Sequence, residues 1–352
     1  MDNAEPIMLS ILTGFLGAGK TTLLNRLLKD PALTETAVII NEFGEVSIDH
    51  LLVEQASDEI VELGNGCICC TVRGALIDQL AELARRPQKL RHVMVETTGL
   101  ADPAPIIQAV MAHPELSRVY SLGCVVTVID SVNGAQTLEA YEEARSQVAL
   151  ADRLVITKSD LVAEEENGDL RGRLASLNPN AEILVASAGE TGAAALLLNP
   201  SVERALPRGS GHHHHHDEHG HDHTHSHGEE MFQSVSLIHD RPLPWSAVEN
   251  FLDLLATQQG ENILRIKGLV ATVENPDRPV LVQGAQKVLH EPELLPRWPQ
   301  GAHRTGIVVI GRNLDTEYVR RIFAAFTGRA EVDTPDRTAL EENPLAISGF
   351  RP

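Results

Sequence analysis

The sequence predicts an α/β protein: a mainly parallel sheet with helices on both faces, followed by a smaller α+β unit. Two changes of pattern carry this reading. From Ile7 to about Ser187 short apolar runs alternate with amphipathic segments, as expected of strands buried on both faces and joined by crossover helices. From Pro207 to Glu230 the apolar pattern stops, and beyond it strands outnumber helices, which favours an antiparallel sheet with helices on one face. At 352 residues the chain also exceeds what one core usually supports. The expected division is a first domain over 1–200, a linker over 201–231, a second domain over 232–328 and a loose tail over 329–352.

In the first domain Ile7–Thr13, Thr36–Asn41, Arg91–Thr97, Leu122–Ile129, Arg153–Thr157 and Glu182–Ala186 read as buried strands. Helices are expected between them at Gly19–Leu28, Val72–Arg85, Ala104–Met111, Gly134–Leu150 and Glu164–Leu177. A ligand of such a sheet belongs at the carboxyl ends of its strands. The linker carries ten histidines between His212 and His227, interleaved with Asp217, Glu218 and Asp222. It has no apolar face with which to offset the entropy of ordering. Arg208-Gly209-Ser210 before the histidines resembles an affinity tag, but the internal position and the interleaved acids favour a native metal-binding tract. In the second domain Gln233–His239, Ile263–Val273, Pro279–Gln283 and Thr305–Ile310 read as strands. Ser246–Leu255 is a helix with Val248, Phe251, Leu252 and Leu255 on one face, and Glu317–Phe326 is a closing helix.

A formal charge of −20 speaks against nucleic acid and against anionic membrane surfaces as partners. No run approaches the roughly 18 apolar residues of a membrane span, and Met1-Asp2-Asn3-Ala4-Glu5 lacks the basic start of a leader. Of four cysteines, three crowd at Cys67, Cys69 and Cys70, which is no disulfide framework and fits reduced thiols in a cytoplasm.

Gly14-Phe15-Leu16-Gly17-Ala18-Gly19-Lys20-Thr21 follows an apolar run and opens an amphipathic one. In that context it reads as a phosphate loop. Backbone amides at Gly14, Gly17, Ala18, Gly19 and on to Thr22 would surround phosphate oxygens, aided by the helix N-terminus. Lys20 would reach the β- and γ-phosphates, and the Thr21 hydroxyl would ligate Mg²⁺. Glu96, at the tip of an apolar strand, would hold a Mg²⁺-bound water or orient the attacking one. Gly99 would let its amide approach the γ-phosphate. In Thr157-Lys158-Ser159-Asp160, Asp160 can accept both N1–H and the exocyclic amine of guanine, while the Lys158 stem covers the purine face. Ser187 follows the next strand and completes the base site. GTPases commonly carry Asn where this chain has Thr157, so the hydrogen bond to guanine N7 is expected to be weaker.

Three thiols at Cys67, Cys69 and Cys70 can give two or three thiolates to one soft or borderline cation, with the remaining ligands from elsewhere. Thiolates favour zinc or cobalt, and the histidine tract favours zinc or nickel, so zinc is the expected metal. Cys124, alone in an apolar strand, reads as a core residue.

With these motifs the sequence resembles the CobW family of metallochaperone GTPases, and most of all its YjiA-type members, from about Ile7 to Phe326. The resemblance is carried by Gly66-Cys67-Ile68-Cys69-Cys70, by Glu96-Thr97-Thr98-Gly99, by Ala101-Asp102-Pro103-Ala104-Pro105 and by the switch-like run Asn41–Asp49. Lys267-Gly268 and Gln283-Gly284 resemble the family's C-terminal domain. The resemblance implies a cytoplasmic GTPase that binds zinc, cobalt or nickel and passes it to a client metalloprotein. It adds Glu42, Glu45 and His113 as candidate ligands beside the cysteines. Ile40 stands where some relatives carry an acid, so a secondary site using that acid is expected to be weak or absent. No arginine finger is identifiable, so turnover alone is expected to be slow. Arg73, just after the cysteines, is a secondary candidate for that role and reads more simply as a surface ion-pair partner. The competing readings are a P-loop ATPase or kinase, and a metal store with incidental hydrolysis.

Overall fold

The computed structural model describes residues 6–33, 35–41, 60–62, 71–86, 90–186, 192, 196–197, 232–298 and 303–328. Glu42, Glu45, Arg73's side chain, Cys67, Cys69, Cys70, Ser187, the tract His212–His227 and the tail lie outside the described set.

Strand β1 (Ile7–Gly14) is buried from Leu9 onward because it has strands on both sides and helices on both faces. Its period of two divides the core. Leu9 and Ile11, with Ala37, Ile39, Val93 and Val95, pack on one face. Leu12, Val38, Ile40 and Met94 pack on the other, against Leu23, Leu24 and Leu27 of helix α1 (Lys20–Leu27). The remaining strands of this sheet are β2 (Thr36–Asn41), β3 (Ile60–Glu62), β4 (His92–Thr97), β5 (Tyr120–Asp130), β6 (Arg153–Thr157) and β7 (Glu182–Val185). They lie in the order β3-β2-β4-β1-β5-β6-β7, and every pairing is parallel. Helices α2 (Thr71–Ala84), α3 (Ala104–Ala112) and the short α4 (Leu116–Val119) run back to the amino edge.

The expected helix Gly134–Leu150 is two helices, α5 (Gly134–Ala140) and α6 (Glu142–Leu150). Tyr141 between them is extended, and its ring lies 4.5 Å from that of Phe15 in the phosphate loop. The Arg145 guanidinium donates to the Leu138 and Glu139 carbonyls at 2.8 and 3.0 Å, satisfying the end of α5 that the break exposes. At the far end of α6 the Asn178 amide, beyond α7 (Glu164–Leu177), donates to the carbonyls of Val148, Ala149 and Ala151.

The second domain is an antiparallel sheet in the order β11-β10-β9-β13-β8, with β12 on β10. Its strands are β8 (Phe232–His239), β9 (Ile263–Val270), β10 (Val280–Ala285), β11 (Val288–Leu289), β12 (Glu293–Leu294) and β13 (Thr305–Arg312). Helices α8 (Trp245–Gln259) and α9 (Thr316–Phe326) cover one face through Val248, Phe251, Leu252, Leu255, Val319 and Phe323. The opposite face, through Leu264, Ala285, Val308 and Ile310, joins the core beside α3 and α6 of the first domain. Both faces are therefore covered, which explains why β13 is buried over seven of its eight residues.

Candidate nucleotide and metal site

The carboxyl edge of the parallel sheet brings the strand ends together in register. Leu12 pairs with Glu96, Asn41 with Thr97, Gly14 with Val128, and Asp130 with Thr157. Beneath the site a buried bond of 2.7 Å from the Thr97 hydroxyl to the Thr13 hydroxyl ties β4 to β1.

At Gly14 the chain leaves the sheet with φ 142°, and a Cβ there would lie 2.3 Å from the Val128 carbonyl oxygen, so only glycine fits. Gly17 and Gly19 also have positive φ, and Gly19 is the N-cap of α1. The buried Lys20 ammonium donates to the Gly14 and Phe15 carbonyls at 3.0 and 3.3 Å, spanning the loop. Ala18 is buried and Thr22 is exposed. The Thr21 hydroxyl donates to Glu96 Oε1 at 3.0 Å, although 75 residues separate them. A hydroxyl and a carboxylate so placed are oxygen donors of the kind Mg²⁺ takes, and the pair fits that ion. Gly99 lies directly against the phosphate loop: a Cβ there would come within 2.6 Å of the Leu16 nitrogen.

Thr157 has a structural task that its motif did not suggest. Its hydroxyl donates to the Ala18 carbonyl at 2.7 Å and so braces the phosphate loop. Lys158, in a left-handed conformation (φ 57°), donates to the Gly17 carbonyl at 3.0 Å and to Asp130 Oδ2 at 2.7 Å. Asp130 was missed from sequence, yet it shares Glu96's signal, an acid closing an apolar strand. Burial pushes its pKa up, but hydrogen bonds from Lys158, Asn133 and the Val132 amide outweigh this and hold it below the ordinary range. Asp160 sits exposed in a short 3-10 turn, Ser159–Leu161, whose Ser159 carbonyl accepts from Asn167 at 3.1 Å. A small cleft opens between the phosphate loop and α5–α6, lined by Phe15, Asp130, Asn133 and Gln147 among others.

The metal residues divide. The three cysteines fall within residues 63–70, between the end of β3 and the start of α2 in sequence, and lie outside the described residues. His113 caps the C-terminal end of α3, and its neighbour Glu115 pairs with Arg85 just past the other end of α2. The fourteen residues of α2 span roughly 21 Å at 1.5 Å each. The structure therefore does not bring His113 to the edge where α2 begins. Among the described residues no group of three or more His, Cys, Asp or Glu is arranged to hold a metal ion. Cys124 is fully buried, as expected of a core residue, and its thiol is pushed up to about 12 by burial and by Asp152.

A parallel sheet with a phosphate loop on its central strand, an acid on the neighbouring strand facing α1 and a lysine–aspartate turn beyond β6 defines a P-loop GTPase. Residues 8–185 match the model described as CobW/HypB/UreG, nucleotide-binding domain, and residues 232–327 match the cobalamin synthesis protein cobW C-terminal domain. The chain belongs to the CobW/HypB/UreG family. It is 33% identical to the zinc chaperone YjiA of Escherichia coli over 91% of this chain and 98% of that protein. It is 35% identical to the zinc chaperone CobW of Pseudomonas aeruginosa over 90% of each. The crystal structure of the Zn(II)-bound YjiA GTPase superposes with a TM-score of 0.63 at 28% identity, covering 92% of this chain and 99% of that one. Among the described residues no helix is long and apolar enough to cross a membrane.

Proposed function

We propose that this chain is a cytoplasmic zinc chaperone that uses GTP hydrolysis to change its hold on the metal and passes the metal to a client metalloprotein. The observation that carries this reading is positional. In sequence the cysteines lie between β3, which ends at Glu62, and α2, which starts at Thr71, and both of those ends meet the sheet edge where β1 turns into the phosphate loop. Two ligands that share an edge can be coupled by whatever lies between them, and the switch-like run Asn41–Asp49 follows β2, beside β4.

In this reading Lys20 and the amides from Gly14 to Thr22 hold the phosphates. Thr21 and Glu96 would hold Mg²⁺, which supplies charge to the β- and γ-phosphate oxygens. Glu96 orients the attacking water, and the turn at Gly99 sits where the γ-phosphate is sensed. Asp160, with Thr157, Lys158 and Ser187, selects guanine. Cys67, Cys69 and Cys70, with Glu42 and Glu45, hold the cargo ion, for which zinc is preferred to cobalt or nickel. His113 takes part only if the far end of α2 is brought round or a second ion is bound.

Zinc affinity measured by chelator competition with GDP, with a non-hydrolysable GTP analogue and without nucleotide tests the reading. Couplings between sites are typically about 5–150-fold, and by linkage zinc must shift GTP affinity by the same factor. The coupled site should vanish when all three cysteines become serine. Equal zinc affinity in every nucleotide state leaves a metal-binding GTPase without a delivery cycle.

A further inference from the structure

The turn after Glu96 is held from three directions. Gly99 rests on Leu16 of the phosphate loop. Gln147, 1% exposed on α6, donates its amide to the Gly99 carbonyl at 3.1 Å and to the Ala101 carbonyl at 3.0 Å. A trans peptide points its C=O and N–H in opposite directions, so two pinned carbonyls also fix the amides that follow them. Asp102, closing the turn, accepts from the Ala104 amide at 3.0 Å and from the Ser146 hydroxyl, next to Gln147, at 3.2 Å.

The third hold comes from the second domain. Arg312, the last residue of β13, donates to Ser146 Oγ at 3.3 Å, pairs with Asp102 at 3.4 Å and pairs with Glu142 at the start of α6. The ring of Phe232 lies 5.6 Å beneath its guanidinium. At the other end of α6, Arg265 of β9 donates to the Leu150 carbonyl. The second domain thus grips α6 at both ends, with Gln147 between the grips.

We propose that Gln147 is the positioning residue of the hydrolysis turn and that Arg312 sets that position from the C-terminal domain. Any shift of the C-terminal domain against α6 would then change turnover without touching the nucleotide. A planar guanidinium with several fixed donors can index a helix against a turn, whereas a lysine point charge does so less well. Displacements of about 1 Å in a catalytic geometry can cost 10²-fold in rate. These roles rest on the reading of Lys20 and Thr21 as the GTP site.

The test uses the full chain with Arg312→Met, Arg312→Lys, Gln147→Glu and, as reference, Lys20→Ala. Arg312→Met should lower kcat for GTP by about 10-fold or more, while KM and GDP affinity stay within about 2-fold. Amide exchange over residues 98–102 should quicken in the GDP-bound protein. Arg312→Lys should recover part of the loss, and Gln147→Glu, which swaps a two-carbonyl donor for an acceptor, should match or exceed it. Unchanged turnover and exchange in Arg312→Met, with Lys20→Ala inactive, would overturn the positioning role alone. Parallel losses of kcat, nucleotide affinity and melting temperature would show a merely structural contact and overturn it too. Normal turnover in Lys20→Ala would overturn both the site reading and the roles built on it.

Discussion

At the scale of single residues, the side chains assigned to nucleotide also hold the phosphate loop in shape. Lys20 spans the Gly14 and Phe15 carbonyls, Thr157 holds Ala18, and Lys158 holds Gly17. Lys20→Ala should therefore lose most GTP hydrolysis while circular dichroism reports a folded protein. Asp160→Asn should relax guanine preference and favour xanthine nucleotide, since losing one partner of a polar pair costs about 1–3 kcal/mol. Calorimetric titration with GTP and xanthosine triphosphate checks it, and unchanged selectivity returns the ATPase reading. Gly99→Ala puts a methyl into the Leu16 backbone and should impair nucleotide binding as well as turnover. The phosphate loop, Glu96 and the lysine–aspartate turn were legible because their residue types are tied to chemistry at fixed spacing. Thr157 was read as a weakened base contact, and its bond to Ala18 was not foreseen because it joins residues 139 apart. Gln147 carries no motif at all.

The elements show how period and burial compete with local signals. Strands were legible wherever a run is buried on both faces, and the parallel order follows from crossover helices. Ile60–Glu62 was missed because three residues give no period to read. The break at Tyr141 was missed because a contact with Phe15, in a distant loop, outweighs helical continuity. Strand β4 begins with a polar group that no apolar pattern explains. His92 is 2% exposed, its Nε2 lies 2.9 Å from the Ser10 hydroxyl, and burial lowers its pKa to about 4. Between that value and about 6.5 the unfolded chain binds the extra proton. The contribution is therefore complete above pH 6.5 and is lost as pH falls toward 4, amounting to about 3 kcal/mol. Urea unfolding at pH 8 and pH 5 should differ by about 2 kcal/mol, the share of that loss reached by pH 5, and His92→Gln should flatten the difference. An equal slope in that variant would assign the pH dependence to other groups.

Across the whole molecule, the two domains meet through charge as well as apolar surface. Asp152, 5% exposed in its side chain, accepts from Arg265 and Lys267 at 2.7 Å each and from the Val125 amide at 2.9 Å. Burial alone would raise its pKa, but the two cations hold it far below the carboxylate range. Asp152→Asn leaves both cations buried without a counter-charge and should cost about 3–5 kcal/mol, read as a lowered calorimetric transition. Replacing all three by apolar residues should recover only part of that, because the Val125 amide and the Leu150 carbonyl still lose partners. A variant Asp152→Asn as stable as the parent would show that water already reaches the pair. The same contact also sets a schedule for biosynthesis. Arg265 is translated 113 residues after Asp152, a delay of about 6–23 s at 5–20 residues per second. Arg312 comes 210 residues after Asp102. On the ribosome the first domain must therefore keep Asp152 hydrated and its hydrolysis turn unindexed until the second domain docks, so the finished chain, rather than the nascent one, acquires its full rate.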